Sequence, residues 1–414
     1  MSFFIPGHLN FVLDVSAGSS GKGKVSSYLV KHSGQMLLGE CDFLITSNSP
    51  NASHRVVDGE KDIVFKNLPS GSLYHEKLKA VYIVSGAIID LDSLEKEVAL
   101  IGLPKEKLFI HPRAGVVQQI DIDYEKGLCD LNGVYTETRG AGTLKTGTTA
   151  SGSGAVLARK VLRHPLTKVV EDYRERIEKI ATIAPVEVLI LGRLMKGESG
   201  LYEIGQGFPL SNNHHLFAPH TTSRNVTISA ALNDAMLPPA VAGRVVLNTR
   251  THPIRINSKK FIGKDGKHLT WEDVKAGIEH EVVESFSGHW YPDQTEITWE
   301  QVEADAGITI PEVVKNTTLT KLPRRIATFS KQGLNEALMY NATHHQPVIS
   351  VNFANFIDGE LYNTRDPQKI QNSEKFLEWL HTNVLSSGFV REANPLFIIG
   401  TGEETDATVI LNGV

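Results

Sequence analysis

Asn10-Phe11-Val12-Leu13-Asp14-Val15-Ser16-Ala17-Gly18-Ser19-Ser20-Gly21-Lys22-Gly23-Lys24-Val25 is an apolar run that breaks on a Gly/Ser turn and restarts as a basic segment. The run Asn10 to Val15 reads as a short strand of the kind a parallel sheet buries on both faces. Lys24 to His32 reads as a helix. Between them, Gly18-x-x-x-x-Gly23-Lys24 places backbone N–H groups, a helix N-terminus and lysines where phosphate oxygens would be held. A P-loop continues with Ser or Thr to hold magnesium, whereas this chain has Val25. Phosphate binding therefore competes with a plain tight connection at this point.

Outward from that turn, Cys41 to Ile45, Val56 to Val57 and Ile63 to Phe65 read as strands. So do Val186 to Leu191, Val241 to Leu247, Val348 to Val351, Leu396 to Ile399 and Ala407 to Leu411. Helical spacing marks Leu91 to Leu100, with Asp90 or Asp92 as cap, and a long pattern following residues 139–154 through Ile180. Trp271 to Ser285, Trp299 to Asp305, Gln332 to Tyr340 and Asn372 to Leu385 also read as helices. Alternating strands and helices predict an α/β fold with a large, mainly parallel sheet, as one domain over residues 1–414. The more polar stretch 257–305 is a possible insertion or subdomain.

With 41% hydrophobic and 21% charged residues in 414, the chain has the composition of a globular protein with a substantial core. A net charge of −5 argues against a non-specific nucleic-acid partner. The two cysteines, Cys41 and Cys129, fit a reducing compartment. The N-terminus has no basic region followed by an apolar run, and no stretch is long enough to span a membrane. A soluble, cytoplasmic protein is expected.

Other segments carry candidate chemistry. His54, in Asn51-Ala52-Ser53-His54, would by itself be an ordinary histidine. Gly147 to Gly154 is a second Gly/Thr-rich loop entering a helix and suits an anion; Arg159 and Arg163 share that helix's face. His214, His215 and His220 lack regular metal-ligand spacing or a carboxylate partner. The loop Thr317 to Arg325 combines hydroxyls and cations, as a carboxylate clamp would.

Taken in order, these segments resemble the adenylosuccinate synthetase family, which condenses a 6-oxopurine nucleotide with aspartate at the expense of a nucleoside triphosphate. Gly18 to Lys24 is similar to the family's GDEGKGK, Asn51 to Arg55 to its NAGHT, and Leu68 to Gly71 to its IPSG. Gly147 to Ala155 resembles GTTGRGIGP, Glu203 to Gly207 resembles EGAQG, and His220 to Arg224 resembles VTSSN. Thr317 to Arg325 and Gly400 to Glu403 resemble TTTGRPRR and a terminal STGP. The matches are collinear.

The resemblance implies that Ser19, Lys22, His54 and Gln206 are catalytic. It implies that Asn51, Thr148, Thr149, Arg163 and Thr221, with Ser19 and Gln206, hold the nucleotide substrate. Gly18, Ser20, Gly21, Lys22, Gly23, Lys24, Asn355, Gly400 and Gly402 would hold ATP. Thr318, Thr320 and Arg324 would hold aspartate, and Ser19 and Ser53 a magnesium ion (Mg2+). Arg163, where the family has an arginine reaching into the neighbouring subunit, implies a homodimer.

The chain departs from the family at three places. The acidic pair of GDEGKGK is Ser19-Ser20, and serine is a poor base unless activated. Being small and uncharged, it leaves room beside N1 for a 2-amino group, pointing to dGMP rather than IMP. In this the chain resembles the phage 2-aminoadenylosuccinate synthetases. Asp14 is a candidate replacement base or water-mediated magnesium partner. Secondly, where the family's TKLD reads guanine of GTP, Asn355 stands in place of the aspartate. An amide pairs with an adenine edge, so ATP or dATP is the expected donor; Asp358 at the base would overturn this. Thirdly, a family aspartate-loop arginine falls on Leu322.

The expected function is therefore a C–N-forming ligase joining dGMP to L-aspartate with ATP or dATP through a 6-phosphoryl purine. Two alternatives stay open: an ordinary adenylosuccinate synthetase acting on IMP, and a non-catalytic nucleotide-binding paralogue.

Overall fold

The computed structural model describes residues 2–35, 37–135, 149–256, 259–264, 269, 273–274, 276–284, 287–316 and 323–411. The opening run forms β1 (Leu9–Asp14), buried along its whole length. Because successive side chains alternate between faces, Leu9, Phe11 and Leu13 enter one apolar layer and Val12 the other. Helix α1 (Lys22–Lys31) covers the second face with Val25, Leu29 and Val30.

Nine further strands complete the sheet: β2 (Phe43–Thr46), β3 (Ala80–Ile83), β4 (Leu108–Ile110), β5 (Thr182–Ile183), β6 (Gly200–Gly207), β7 (Ala242–Arg250), β8 (Val348–Asn352), β9 (Leu396–Gly400) and β10 (Thr408–Leu411). Their spatial order is β10-β9-β8-β7-β1-β6-β2-β3-β4-β5. Only the β9–β10 pair runs antiparallel; the others are parallel. The expected α/β architecture with a mainly parallel sheet is thus present. β1 lies between β6 and β7, where the strand order reverses, and such a switch point opens a crevice at the carboxyl ends of the strands. There Asp14 is flanked by Gly207 and Asn248.

Three local expectations fail. Val186 to Leu191 is helical (Val186–Leu194), not a strand. Val186, Ile190 and Leu194 are buried while Val188 is exposed, a four-residue spacing that a short apolar run conceals. The helix expected through Ser285 is replaced at His280–Glu284 by a strand pairing antiparallel with Lys259–Gly263; the β-branched Val282-Val283 pair favours that state. The long helix expected to reach Ile180 stops at Leu162, with Arg163 left-handed at φ 54, just ahead of Pro165. Strand β6 leaves no strand signal in the sequence, because Glu203 and three glycines break its apolar run.

Candidate active site

Two clefts open near the carboxyl end of β1. The first encloses about 1340 Å³ and is lined by the 19–24 turn, Ser53, His54, Arg250, Arg324, Phe353 and Gly402. The second encloses about 1260 Å³ and is lined by Asn51, Thr149, Gln206, Thr221, Thr222 and Arg255.

The turn between β1 and α1 is held by the ends of neighbouring strands. Asn352 and Asn248 both donate from Nδ2 to the Ser20 carbonyl, at 2.9 and 3.2 Å. Arg250 Nη1 donates to the Ser19 carbonyl at 2.9 Å. Ser19 adopts φ 51 and its side chain is exposed, whereas Ser20 is buried. Gly23 lets α1 approach the hairpin His54–Asp58/Lys61–Phe65: a Cβ there would lie 2.9 Å from the Arg55 carbonyl and 3.1 Å from His54 Cβ. That approach brings His54 beside the turn.

Lys22 is buried; its ammonium pairs with Asp14 at 3.2 Å and donates to the Gln206 carbonyl at 2.7 Å. Asp14 also accepts from Asn248 Nδ2 at 2.6 Å, so both its oxygens are engaged. Gln206 lines the second cleft in a left-handed conformation (φ 70), with Nε2 buried and unpartnered. Gly207 follows it because a Cβ would strike the Ser16 carbonyl at 1.7 Å. Lys24 points away from the turn's mouth, donating to the Gly402 carbonyl at 2.8 Å and to that of Ala407. Gly400 packs under it, a Cβ there meeting Lys24 Nζ at 2.9 Å.

His54 has a partner that its local sequence did not suggest. Its Nδ1 bonds the Glu203 carboxylate, which also accepts from Ser70 N at 3.0 Å and Ser70 Oγ at 2.9 Å. Burial alone would push the Glu203 carboxyl up, but His54 and Lys22 together hold it below its ordinary range. With Nδ1–H committed to an ionised carboxylate, Nε2 is the ring nitrogen left to act. The signal in the sequence was a glutamate inside the apolar run Leu201-Tyr202-Glu203-Ile204, since a buried carboxylate needs partners.

In the second cleft, Asn51 Nδ2 donates to Thr222 Oγ1 at 3.2 Å, and Thr221 lies beside it in the same wall. The helix after the 147–154 loop does not offer its N-terminus to an anion, contrary to expectation. Glu125 already occupies it, accepting from Gly152 N at 2.8 Å and Gly154 N at 2.7 Å. Thr149 remains exposed, its hydroxyl 2.7 Å from Ser151 Oγ. Arg163, at the far end of that helix, is exposed and away from both clefts. Thr148, Thr318, Thr320 and Leu322 lie outside the described residues.

Asn355 sits on the turn after β8, buried, with Oδ1 unpartnered. Asp358 is committed elsewhere, accepting from Ser373 Oγ at 2.5 Å and Glu360 N at 3.1 Å. The residue of this segment that lines the first cleft is Phe353. Arg324 lines the same cleft and donates to the Val314 carbonyl at 2.9 Å. His214 and His215 do find a carboxylate, Glu336, within 4.8 Å. However, His214 Nδ1 accepts from Leu216 N and Nε2 faces the Tyr291 hydroxyl at 3.1 Å, so both ring nitrogens have protein partners.

Comparison with known proteins agrees with this geometry. A sequence model of the adenylosuccinate synthetase family matches residues 11–167. The N6-succino-2-amino-2'-deoxyadenylate synthase of cyanophage S-2L is 30% identical over 357 residues, spanning 84% of this chain and 82% of that protein. The enzyme of the same name from Vibrio phage phiVC8 is also 30% identical, with 84% and 87% covered. The solved S-2L protein, bound to dGMP and dATP, superposes with a TM-score of 0.67 at 25% identity, covering 97% of this chain and 94% of that one. Fully ligated adenylosuccinate synthetase from Plasmodium falciparum shares the fold at a TM-score of 0.69 and 14% identity, covering 98% and 100%. With relatives 30% identical over more than four-fifths of both chains, and a family model matching the segment that holds the 18–24 turn and His54, the chain belongs to the adenylosuccinate synthetase family.

Proposed function

We propose that this protein is a C–N-forming ligase that condenses dGMP with L-aspartate, using ATP or dATP, to give 2-amino-2'-deoxy-N6-succinyladenylate. The observation that carries the reading is Ser19: an exposed, uncharged side chain lining the first cleft, where the family's acid would crowd a purine 2-amino group. The donor triphosphate occupies the first cleft and dGMP the second. With the N1 proton passed to water, O6 takes the γ-phosphoryl group as the nucleoside diphosphate leaves, which makes C6 electrophilic; the aspartate amine then adds at C6, gives a proton to water, and inorganic phosphate leaves.

Lys22, held by Asp14, and His54, held by Glu203, face the charge that develops on O6 and the transferred phosphoryl group. Gln206 orients the base with its free amide, and Asn51, Thr149 and Thr221 hold sugar and phosphate. Asn355 favours an adenine base on the donor, with Phe353 in the wall of the same cleft. The carboxylates lining the first cleft are all engaged: Asp14 by Lys22, and Asp62 and Glu403 by Arg55. This donor set fits magnesium carried in on the triphosphate, with the exposed hydroxyls of Ser19 and Ser53 as the chain's contribution. When bound, the ion neutralises charge on the phosphates.

Both cysteines are free and buried, in keeping with action in the cytoplasm, and no helix among the described residues is long and apolar enough to cross a membrane. A homodimer is proposed through the surface around Arg163, where the adjoining Val161 and Leu162 are 73% and 61% exposed. Leu162→Asp should halve the mass in analytical ultracentrifugation.

The function is tested by incubating the protein with aspartate and magnesium, crossing dGMP or IMP with ATP, dATP or GTP, and weighing the products. Succinylated product is expected from dGMP with ATP or dATP. Product from IMP alone would replace this reading with ordinary adenylosuccinate synthesis.

A further inference from the structure

Arg250 ends β7 at the wall of the first cleft and is only 1% exposed. Its Nη1 is committed to the Ser19 carbonyl. One face of its guanidinium lies over the Phe353 ring, Cζ 4.4 Å from the centroid. Nε and Nη2 have no hydrogen-bond partner, and among the described residues no carboxylate pairs with it. Burial, with the Arg324 cation nearby, lowers its pKa to about 9, so it is still cationic at neutral pH.

The two free atoms are not a random pair. Nε–H and Nη2–H form the side edge of the guanidinium, the fork that takes two oxygens of one anion in parallel. A buried cation without a counter-charge is costly unless something supplies that charge. The phosphates of the donor already have Lys22 and the backbone of the Gly18–Lys24 turn. Of the substrates in the proposed reaction, the amino acid brings two further planar anions.

Resting on that proposed reaction, we infer that the Nε/Nη2 edge of Arg250 binds a carboxylate of the amino-acid co-substrate. Phe353 holds the guanidinium plane, and the Nη1 bond to Ser19 couples the seated amino acid to the catalytic turn. Arg250 is a substrate-binding residue on this account, and nothing in its neighbouring sequence announces it.

Arg250→Lys keeps a cation but loses the fork. It should raise KM for L-aspartate about 30-fold or more, with kcat and KM for ATP changing less than threefold. Phe353→Leu, which removes the ring beneath the guanidinium, should raise KM for aspartate by a smaller factor, and serves if Arg250→Lys does not fold. A rise in KM for ATP with KM for aspartate unchanged would overturn the inference, because the fork would then hold phosphate; no change in either would overturn it as well. If the wild-type protein turns over no aspartate, the proposed reaction has failed. The inference is then judged on L-aspartate thermal-shift titrations, in which the wild type should gain stability and Arg250→Lys should not.

Discussion

The two sides of the phosphate turn follow opposite electrostatic plans. On the β6 side, Glu203 is fully buried yet fully occupied, by His54 and by two groups of Ser70. On the β7 side, Arg250 is equally buried, but its Nε and Nη2 have no partner and the neighbouring charge that acts on it is another arginine. The first arrangement is complete before any substrate arrives; the second is complete only with an anion in place. On the proposed mechanism the contrast separates charges that act on the reacting oxygen, which gain from being fixed in advance, from charges that receive substrate.

The sharpest way to break this comparison is to spoil the finished side. Glu203→Gln preserves shape and leaves an acceptor for Ser70, but removes the charge that stabilises a protonated His54. A fall in kcat of about 100-fold is expected, with KM for dGMP changing less than threefold, measured as succinylated product by mass spectrometry. A loss below threefold would mean that the His54–Glu203 pair only supports the fold.

A second substitution probes the turn between the two sides. Ser19 sits at φ 51, a conformation that Asp tolerates better than most residues, so Ser19→Asp should leave the loop in place. The new carboxylate fills the space proposed for the 2-amino group. Turnover of dGMP should drop at least about tenfold relative to any turnover of IMP. Unchanged discrimination would remove Ser19 as the specificity determinant.

The same contrast marks what could be learned from sequence. β1, its turn and α1 were legible because buried strands, glycines and a following helix leave a local pattern, and the parallel sheet followed from alternating elements. Val186–Leu194 was not legible: an apolar run of that length fits strand or helix until its burial period is known. At the site, Lys22, His54 and Gln206 were found through motifs. Arg250 belongs to no motif, and Phe353 lies in the stretch matched to TKLD without a role of its own there; only the meeting of β7, β8 and the turn brings the two together. Glu203 lay inside a motif, but its bond to His54 spans 149 positions of chain. Pairings made across the sheet are invisible to any window along the sequence.

The smallest expected effect concerns Lys24, which resembles Arg250 in being buried against carbonyls rather than an acid, but unlike arginine can give up its proton. Burial draws its pKa from 10.5 to about 7, outweighing the pull of Glu403 and Glu404 in the other direction. Between those values the unfolded chain carries one proton more than the folded chain, so this group makes stability rise with pH across that window and leaves it flat below. Between pH 7 and 8.5 the Tm of the wild type should gain about 2 °C relative to that of Lys24→Met, which has no proton to lose. Parallel curves for the two proteins would place the ammonium close to a counter-charge in the free enzyme. The open, unpaired character of this side of the turn would then be confined to Arg250.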